Sequence, residues 1–325
     1  MDPPRPIGVS RHHLDLLERI EKVAPTDVEV LLSGPTGSGK EVYAQHLHGH
    51  SPRSGHSFVA VNCGAVPSEL FENEMFGHIG GAYTDAHAPS HGLAVEAEGG
   101  TLFLDEVDSL SLPNQVKLLR FVQSQEYRRL GDPRIRRANV RFVSATNADL
   151  RKGVRDGWFR EDLFYRLRVV PLEVPPLSAR RDDIRPLLDE FASQFSRQYR
   201  LPRIVLSPEA AEALQAYDWP GNVRELESCV KFLTCLQLAR AVDRFDLPFT
   251  ADAEPQPETP PTPALAHLPF TAARSAMVAD FERRYLSEAL RRANGNVSRA
   301  ARECGEYRKK IARLMKKHGI EAGGD

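Results

Sequence analysis

The sequence has no stretch approaching about 18 consecutive apolar residues, and its N-terminus, MDPPRPIGVSRHH, has none of the apolar core of a secretory leader. A membrane-spanning helix is thereby excluded, and a soluble, cytoplasmic protein is expected. Cysteine is scarce. Cys63, Cys229, Cys235 and Cys304 form no C-x-x-C pair and share no regular spacing. That usage suits a reducing compartment and supports neither a disulfide scaffold nor a cysteine-built zinc site. An excess of one charge sign is missing too, with 43 Lys and Arg against 44 Asp and Glu. The total therefore neither favours nor excludes a nucleic-acid partner; only the distribution of charge along the chain can decide. What the chain does have is 41% hydrophobic residues over 325 positions, enough for sizeable cores in two or three domains.

Proline and charge are unevenly placed. Residues 248 to 269 hold seven prolines and no Lys or Arg, a composition that reads as an extended, semi-rigid linker. Beyond it, residues 271 to 325 carry 13 Lys and Arg against 7 Asp and Glu, a net of +6. The remainder is acidic, by about −7. Ahead of the linker, short apolar runs alternate with helical stretches, the pattern of an α/β domain built on a parallel sheet. VEVLLSG (28–34), FVAVNC (58–63), TLFLDE (101–106) and VRFVSATN (140–147) are expected strands, with helices over 39–48 and 114–123. From about residue 178 the strands stop, and helices are expected over 183–199, 207–217 and 222–239. Ser207-Pro208-Glu209 is a helix start: a side-chain cap, a first-turn proline and an early acid.

GPTGSGK follows the first strand and opens a helix. Gly34, Pro35, Thr36, Gly37, Ser38, Gly39 and Lys40 are the candidate phosphate loop. Glycines let the backbone N–H groups turn inward, and the lysine offers a charge to the terminal phosphates. The hydroxyl residue usual after that lysine is replaced by Glu41, so one magnesium-binding group is missing. GGTLFLDE supplies the other half of an ATPase site. Asp105 is placed to hold Mg²⁺, usually through water, and Glu106 to polarise the attacking water. The bland reading is a strand ending in exposed acids; the paired motifs make ATP hydrolysis the expectation. Asn62-Cys63 and Ala145-Thr146-Asn147 end two further strands, at the edge where such sheets bind ligands. Helix capping explains them equally well from the residues alone.

Taken together these strings resemble one family. GPTGSGKE, FVAVNCGAVPSELFENEMFGH, GAYTDA, EAEGGTLFLDE, VSATN, FREDLFYRL and WPGNVREL follow in the order seen in the AAA+ domain of bacterial enhancer-binding proteins, the activators of sigma-54 RNA polymerase. Glu41 is normal in that family. The resemblance implies an AAA+ α/β ATPase subdomain over 1–175, a helical lid over 176–247, the linker over 248–269 and a DNA-binding domain over 270–325. It implies that ATP and Mg²⁺ are bound by the phosphate loop with Asp105 and Glu106, and that Asn62 restrains the catalytic glutamate. Thr146 and Asn147 resemble the first sensor, and Arg224 the second. Arg160 and Arg166 resemble arginines that reach a neighbouring subunit's site, which implies a ring, a hexamer in this family.

The family's polymerase-contacting loop reads GAFTGA; here Gly81, Ala82, Tyr83, Thr84, Asp85 and Ala86 read GAYTDA. The aromatic and the threonine are kept, but Asp85 replaces a glycine. The exchange makes a positive φ harder to reach and adds a negative charge at a proposed protein contact. An activator of the sigma-54 holoenzyme is the first expectation. A DNA-binding repressor or heteromeric modulator that no longer activates is the second.

In the tail, SAMVADFERRYLSEALRRA sets Met277, Phe281, Tyr285 and Leu290 near one helical face. GNVSRAARECG is a short helix with Asn296 or Ser298 as cap, and EYRKKIARLMKKHGI follows with Ile311, Leu314 and Met315 inward. Arg308, Lys309, Lys310, Arg313, Lys316 and Lys317 are left for solvent or duplex phosphates, as a helix-turn-helix requires. The string resembles the Fis-type module that ends this family, implying an enhancer-like double-stranded DNA target. With about seven residues ahead of the ATPase domain, no sensory domain in cis is expected, and regulation is expected from a separate protein, from expression level or from a co-assembled homologue. His46, His48 and His50 invite a metal reading, but His48 falls where the family often has a histidine and no acid or cysteine completes a ligand set. Cys229 and Cys235 are expected as small packing residues.

Overall fold

The structure, a computed structural model, describes residues 5–81, 89–251, 278, 279, 282, 283, 285, 286, 289, 290, 293 and 296–320. The chain divides into two compact units, Met1–Asp252 and Ala253–Asp325.

The first unit opens with α1 (Arg11–Val23), whose first turn is capped by the Ser10 side chain accepting from the His13 amide. Five parallel strands follow in the order β2-β5-β8-β1-β9: β1 is Val30–Ser33, β2 Phe58–Asn62, β5 Thr101–Asp105, β8 Arg141–Thr146 and β9 Val170–Glu173. The four expected strands are present with trimmed ends; β9 is one that the apolar runs did not signal. Its register sets Pro171 against Leu31, and β9 is an edge strand, the place where a residue without an N–H is tolerated.

Alternation along the strands divides the core in two. Val30, Leu32, Phe103, Val143 and Ala145 pack with Leu16 and Ile20 of α1 and Leu47 of α2 (Lys40–Gly49). Leu31, Leu102, Leu104 and Phe142 face the other way, into a cluster with α3 (Phe71–Phe76), α5 (Leu112–Ser124) and α7 (Glu161–Leu167). Short ribbons β3–β4 (Gly77–His78 with Ser90–His91) and β6–β7 (Glu126–Tyr127 with Arg136–Arg137) and helices α4 (Leu93–Glu96) and α6 (Leu150–Asp156) fill the connections. Arg141 is buried at the start of β8, where its guanidinium donates to the carbonyls of Ala24 and Val23 and so satisfies the open end of α1.

From Leu177 the unit is helical: a 3₁₀ stretch over Leu177–Asp183, then α8 (Ile184–Tyr199), α9 (Pro208–Ala216) and α10 (Asn222–Cys235). Ser207 caps α9 by accepting from the Ala210 amide, as its sequence indicates. These helices close on Trp219, which is 1% exposed and donates its indole N–H to the Leu214 carbonyl at 3.0 Å. Trp219→Ala is expected to cost about 3–5 kcal/mol in denaturant unfolding, the usual loss for a fully buried large aromatic. A change below about 1 kcal/mol would show that the helical core does not depend on this ring.

Two expectations need correction here. Residues 248–251, assigned to the linker, form a helical turn, α11 (Pro248–Ala251). Phe249 stacks on Tyr217 at 4.1 Å between centroids and meets Trp219 edge-on, so the helical core extends past residue 247. Residues 252–269 lie outside the described set. Cys229 is buried as expected, but Cys235 is exposed at the end of α10. No helix among the described residues is long and apolar enough to cross a membrane.

In the second unit, Leu286, Ala289, Leu290 and Ala293 pack with Ala300 and Ala301 of α12 (Val297–Glu303) and Ile311 and Met315 of α13 (Arg308–His318). Asn296, one of the two cap candidates, caps α12 through its side chain, and Gly305 turns the chain at φ +67°. Tyr285, expected on the buried face, is 43% exposed; Met277 and Phe281 fall outside the described residues.

Candidate nucleotide site and DNA-facing helix

The parallel register brings the C-terminal ends of four strands to one edge, pairing Ser33 with Thr146 and Asn62 with Asp105. The phosphate loop leaves β1 at this edge, tied to β8 by a hydrogen bond from the Gly34 amide to the Thr146 carbonyl. Gly39 holds φ +96° before α2, with nothing within 4 Å of where a side chain would start. That open face, at the N-terminus of α2, lies where phosphates meet inward N–H groups and the helix dipole. Lys40 is buried with its ammonium donating to the Gly34 carbonyl at 2.9 Å and the Pro35 carbonyl at 3.1 Å. Burial lowers its pKa, while Asp105, Asp108 and Glu106 act in the opposite sense. The Ser38 hydroxyl is buried without a hydrogen-bond partner. A seated ammonium, an orphaned hydroxyl and a left-handed glycine fit a phosphate chain.

The acidic side comes from β5. Glu106 takes a left-handed backbone, φ +53°, and its amide donates to the Asp105 carboxylate at 3.0 Å. Cys63, just past the end of β2, has its thiol pushed up to about 12, first by burial and then by the nearby carboxylates, which keeps it a protonated packing group. Asn62 is beside them, but its side-chain oxygen accepts from the amides of Gly64 (2.8 Å) and Ala65 (3.1 Å). Among the described residues, no hydrogen bond joins Asn62 to Glu106, the partner that the resemblance implies. Thr146 donates to Asp108 at 2.6 Å, and Asn147 donates to the Thr36 hydroxyl at 2.9 Å, so both sensor candidates touch the site.

The helical part closes the other wall. Val223 and Arg224 donate their amides to the Gly37 carbonyl, and Asn222 donates its side-chain amide to the Thr36 carbonyl. Gly37 holds φ +75°, and a side chain there would begin 2.3 Å from the Gly221 carbonyl oxygen. Arg180 donates to the Ser38 carbonyl at 2.6 Å and the Tyr43 hydroxyl at 3.0 Å, with buried Asp183 3.8 Å away. The cleft between holds about 580 Å³ and is lined by Thr36, Lys40, Glu41, Asp105, Glu106 and Arg224 among others. These bonds tie the start of α10 to the phosphate loop.

Arg160, the residue that precedes α7, and Arg166, on α7, do not line this cleft. Arg160 pairs with Asp162 at 2.6 Å, and Arg166 with Glu29 at 3.0 Å; each arginine side chain is 41% exposed. Gly81 ends the described part of the GAYTDA string, at φ +79°; Ala82, Tyr83, Thr84, Asp85 and Ala86 are outside the described residues. The ribbon pairing His78 with Ser90 brings the two sides of this loop together at its base.

On α13, Ile311 and Met315 are buried, and Leu314 is half-buried. Arg308, Lys309, Lys310, Arg313, Lys316 and Lys317 are all exposed. Lys310 pairs with Glu306, and Lys317 with Glu282 at 2.7 Å. Lys317 first, then His318, holds the Glu282 carboxyl below the usual range.

The sigma-54 interaction domain model matches residues 7–173, more than half of the chain. The chain belongs to this family. The AAA+ ATPase lid domain matches 178–264, and the Fis family of bacterial regulatory proteins matches 277–318. The fold is thus an AAA+ P-loop ATPase domain with a helical lid and a C-terminal helix-turn-helix domain. The nitric oxide reductase transcription regulator NorR1 of Cupriavidus necator is 43% identical over 96% of this chain and 63% of its own length. The transcriptional regulatory protein GlrR of Escherichia coli is 40% identical over 95% of this chain and 67% of its own. NtrX from Brucella abortus, solved in complex with ADP, superposes with a TM-score of 0.72 at 36% identity, over 97% of this chain and 70% of that one. The chain thus spans about two thirds of the length of these relatives.

Four residues of this sigma-54 interaction domain and lid escaped the reading of the sequence: Asp108, Arg180, Asp183 and Asn222. The first sits two residues past a motif that already supplied two acids. The others are buried polar groups whose partners are far away in sequence, such as the 142 residues between Arg180 and Ser38. Only Asn222 carries a local signal, a Gly-Asn pair opening a helix.

Proposed function

We propose that the protein is an ATP-hydrolysing, sigma-54-dependent transcriptional activator that binds an upstream DNA site, assembles a ring and remodels the closed promoter complex. The observation that carries this reading is the meeting of Lys40, Asp105, Glu106 and Arg224 in one cleft whose two walls are hydrogen-bonded through Gly37. Lys40 exchanges its loop carbonyls for terminal phosphate oxygens, and Ser38 gains the partner it lacks. Asp105 is the residue that would hold Mg²⁺, which supplies charge neutralisation at the phosphates when bound. Glu106 orients the attacking water and takes its proton. Thr146, Asn147 and Arg224 report the state of the terminal phosphate to β8 and α10, and Arg160 and Arg166 complete the site of the next subunit in a hexamer. Tyr83 and Thr84 then carry the resulting movement to sigma-54.

Residues 270–325 supply the DNA contact. Among the described residues Arg313 and Lys316 pair with no acid, so each is available to a phosphate. Arg313→Ala and Lys316→Ala are each expected to weaken binding across all sequences and to reduce the salt dependence by about one counterion. An unchanged slope in a salt titration would remove them from the interface. Removal of residues 270–325 should abolish site-specific DNA binding and leave concentrated protein able to hydrolyse ATP. Site-specific binding retained by the shortened chain would overturn the domain assignment.

Asp85 favours a second reading: a repressor or heteromeric modulator whose motor turns without engaging sigma-54. Hydrolysis does not separate the two readings, because both retain it; promoter opening does.

A further inference from the structure

The far end of α2 carries a cluster that ATP chemistry does not use. Of the three histidines there, His48 faces the core, with its Nδ1 2.9 Å from the Thr101 hydroxyl. His46 and His50, four positions apart, share the opposite face, and their rings lie 4.1 Å apart. The acid missing from that string comes from elsewhere: α1 packs across this face and brings Glu21. Ligand atoms of Glu21, His46 and His50 all lie within 4.8 Å of one another, and among the described residues no other three His, Cys, Asp or Glu meet so closely.

The state of each group matters. His46 is 7% exposed, and its buried Nε2 has no hydrogen-bond partner, with Glu21 Oε1 3.4 Å away. His50 Nδ1 is 2.9 Å from the His46 carbonyl. A carbonyl can only accept, so Nδ1 carries a proton, and in the neutral ring Nε2 keeps its lone pair, the arrangement in which a backbone bond orients a metal-binding imidazole.

We propose that Glu21, His46 and His50 form a site for a divalent transition-metal ion, with Zn²⁺ the ion whose ligand preference they match. Two imidazoles and one carboxylate are a zinc donor set, whereas Ca²⁺ and Mg²⁺ take oxygen ligands. A tetrahedral ion bound at about 2.0–2.2 Å needs donor atoms about 3.4 Å apart. Glu21 and His50 are exposed, so side-chain rotation alone closes the remaining gap. The ion would also sit at the C-terminal end of α2, where the helix dipole favours a cation. Three protein ligands leave a fourth position open to water. The site lies about 15 Å along α2 from Lys40, so it staples α1 to the phosphate-loop helix and takes no part in hydrolysis. It is independent of Asp105 and of the ATPase reading.

The test is a calorimetric titration of Zn²⁺ into the nucleotide-free full chain, paired with thermal unfolding with and without the ion. One equivalent should bind and raise the melting temperature, and Co²⁺ should give the intense visible bands of a tetrahedral site. In the double variant Glu21→Gln, His50→Ala, both changes at exposed positions, affinity should fall at least tenfold and the melting shift should vanish. His12→Ala, an exposed histidine of α1 outside the cluster, should leave both intact. Equal Zn²⁺ affinity in the double variant and the native chain, or Zn²⁺ binding by the native chain no tighter than Mg²⁺, would overturn the proposal.

Discussion

Replacing Glu106 with glutamine is expected to lower ATP turnover by about a thousandfold, within the range for losing a positioned general base, and to change nucleotide affinity by no more than a few-fold. The two effects separate because the phosphate-holding groups are on other elements. The loop amides belong to the β1–α2 connection, Lys40 to the start of α2 and Arg224 to α10, whereas Glu106 follows the last residue of β5. Glutamine keeps the shape and tolerates the same backbone, so little destabilisation accompanies the loss. The measurement is steady-state phosphate release beside equilibrium binding of ATP. Undiminished release would show that another group activates the water.

Arg160→Ala is expected to lower turnover by three orders of magnitude or more, the scale of an arginine supplied in trans, while leaving stability nearly unchanged. Its visible partner, Asp162, gives an exposed ion pair of the kind that contributes little. That pair can open at small cost to let the guanidinium reach a neighbour. A mixing experiment distinguishes this role from an ordinary surface charge. Glu106→Gln subunits have an intact arginine, and Arg160→Ala subunits have an intact glutamate. Mixed rings should therefore regain part of the native rate, although neither variant turns over alone. Full activity in Arg160→Ala alone would return the residue to the surface; an inactive variant whose mixture stays inactive would place its effect within its own subunit.

The parts legible in the sequence were those fixed by local chemistry. A loop that needs glycines at left-handed positions, an apolar strand ending in two acids, and a serine-proline helix start all declare themselves within a few residues. The strands that bury both faces did so as well. β9 did not, because Pro171 argues against a strand unless its edge position is known. The coupling of lid to phosphate loop was illegible for a different reason. Asn222 and Arg180 donate to backbone carbonyls and a hydroxyl, and Asp183 accepts from the Val9 and Ser10 amides and the Ser10 hydroxyl; folding brings these partners together, and a backbone group leaves no mark on sequence. The same holds for Glu21, an ordinary acid on an exposed helix face until α2 is packed beside it. Asn62 shows the converse: a familiar position whose side chain here is engaged with the turn that follows β2.

Asp85 remains the residue on which the central proposal turns, since it replaces a glycine in the string that the resemblance assigns to sigma-54 contact. The decisive measurement is ATP-dependent open-complex formation by purified sigma-54 RNA polymerase, with the native chain and its Asp85→Gly variant compared on the same promoter. Open complexes with the native chain and ATP, and none with a non-hydrolysable analogue, are the expected result. Open complexes with the glycine variant alone would contradict the activator reading and leave a working ATPase that regulates by another route.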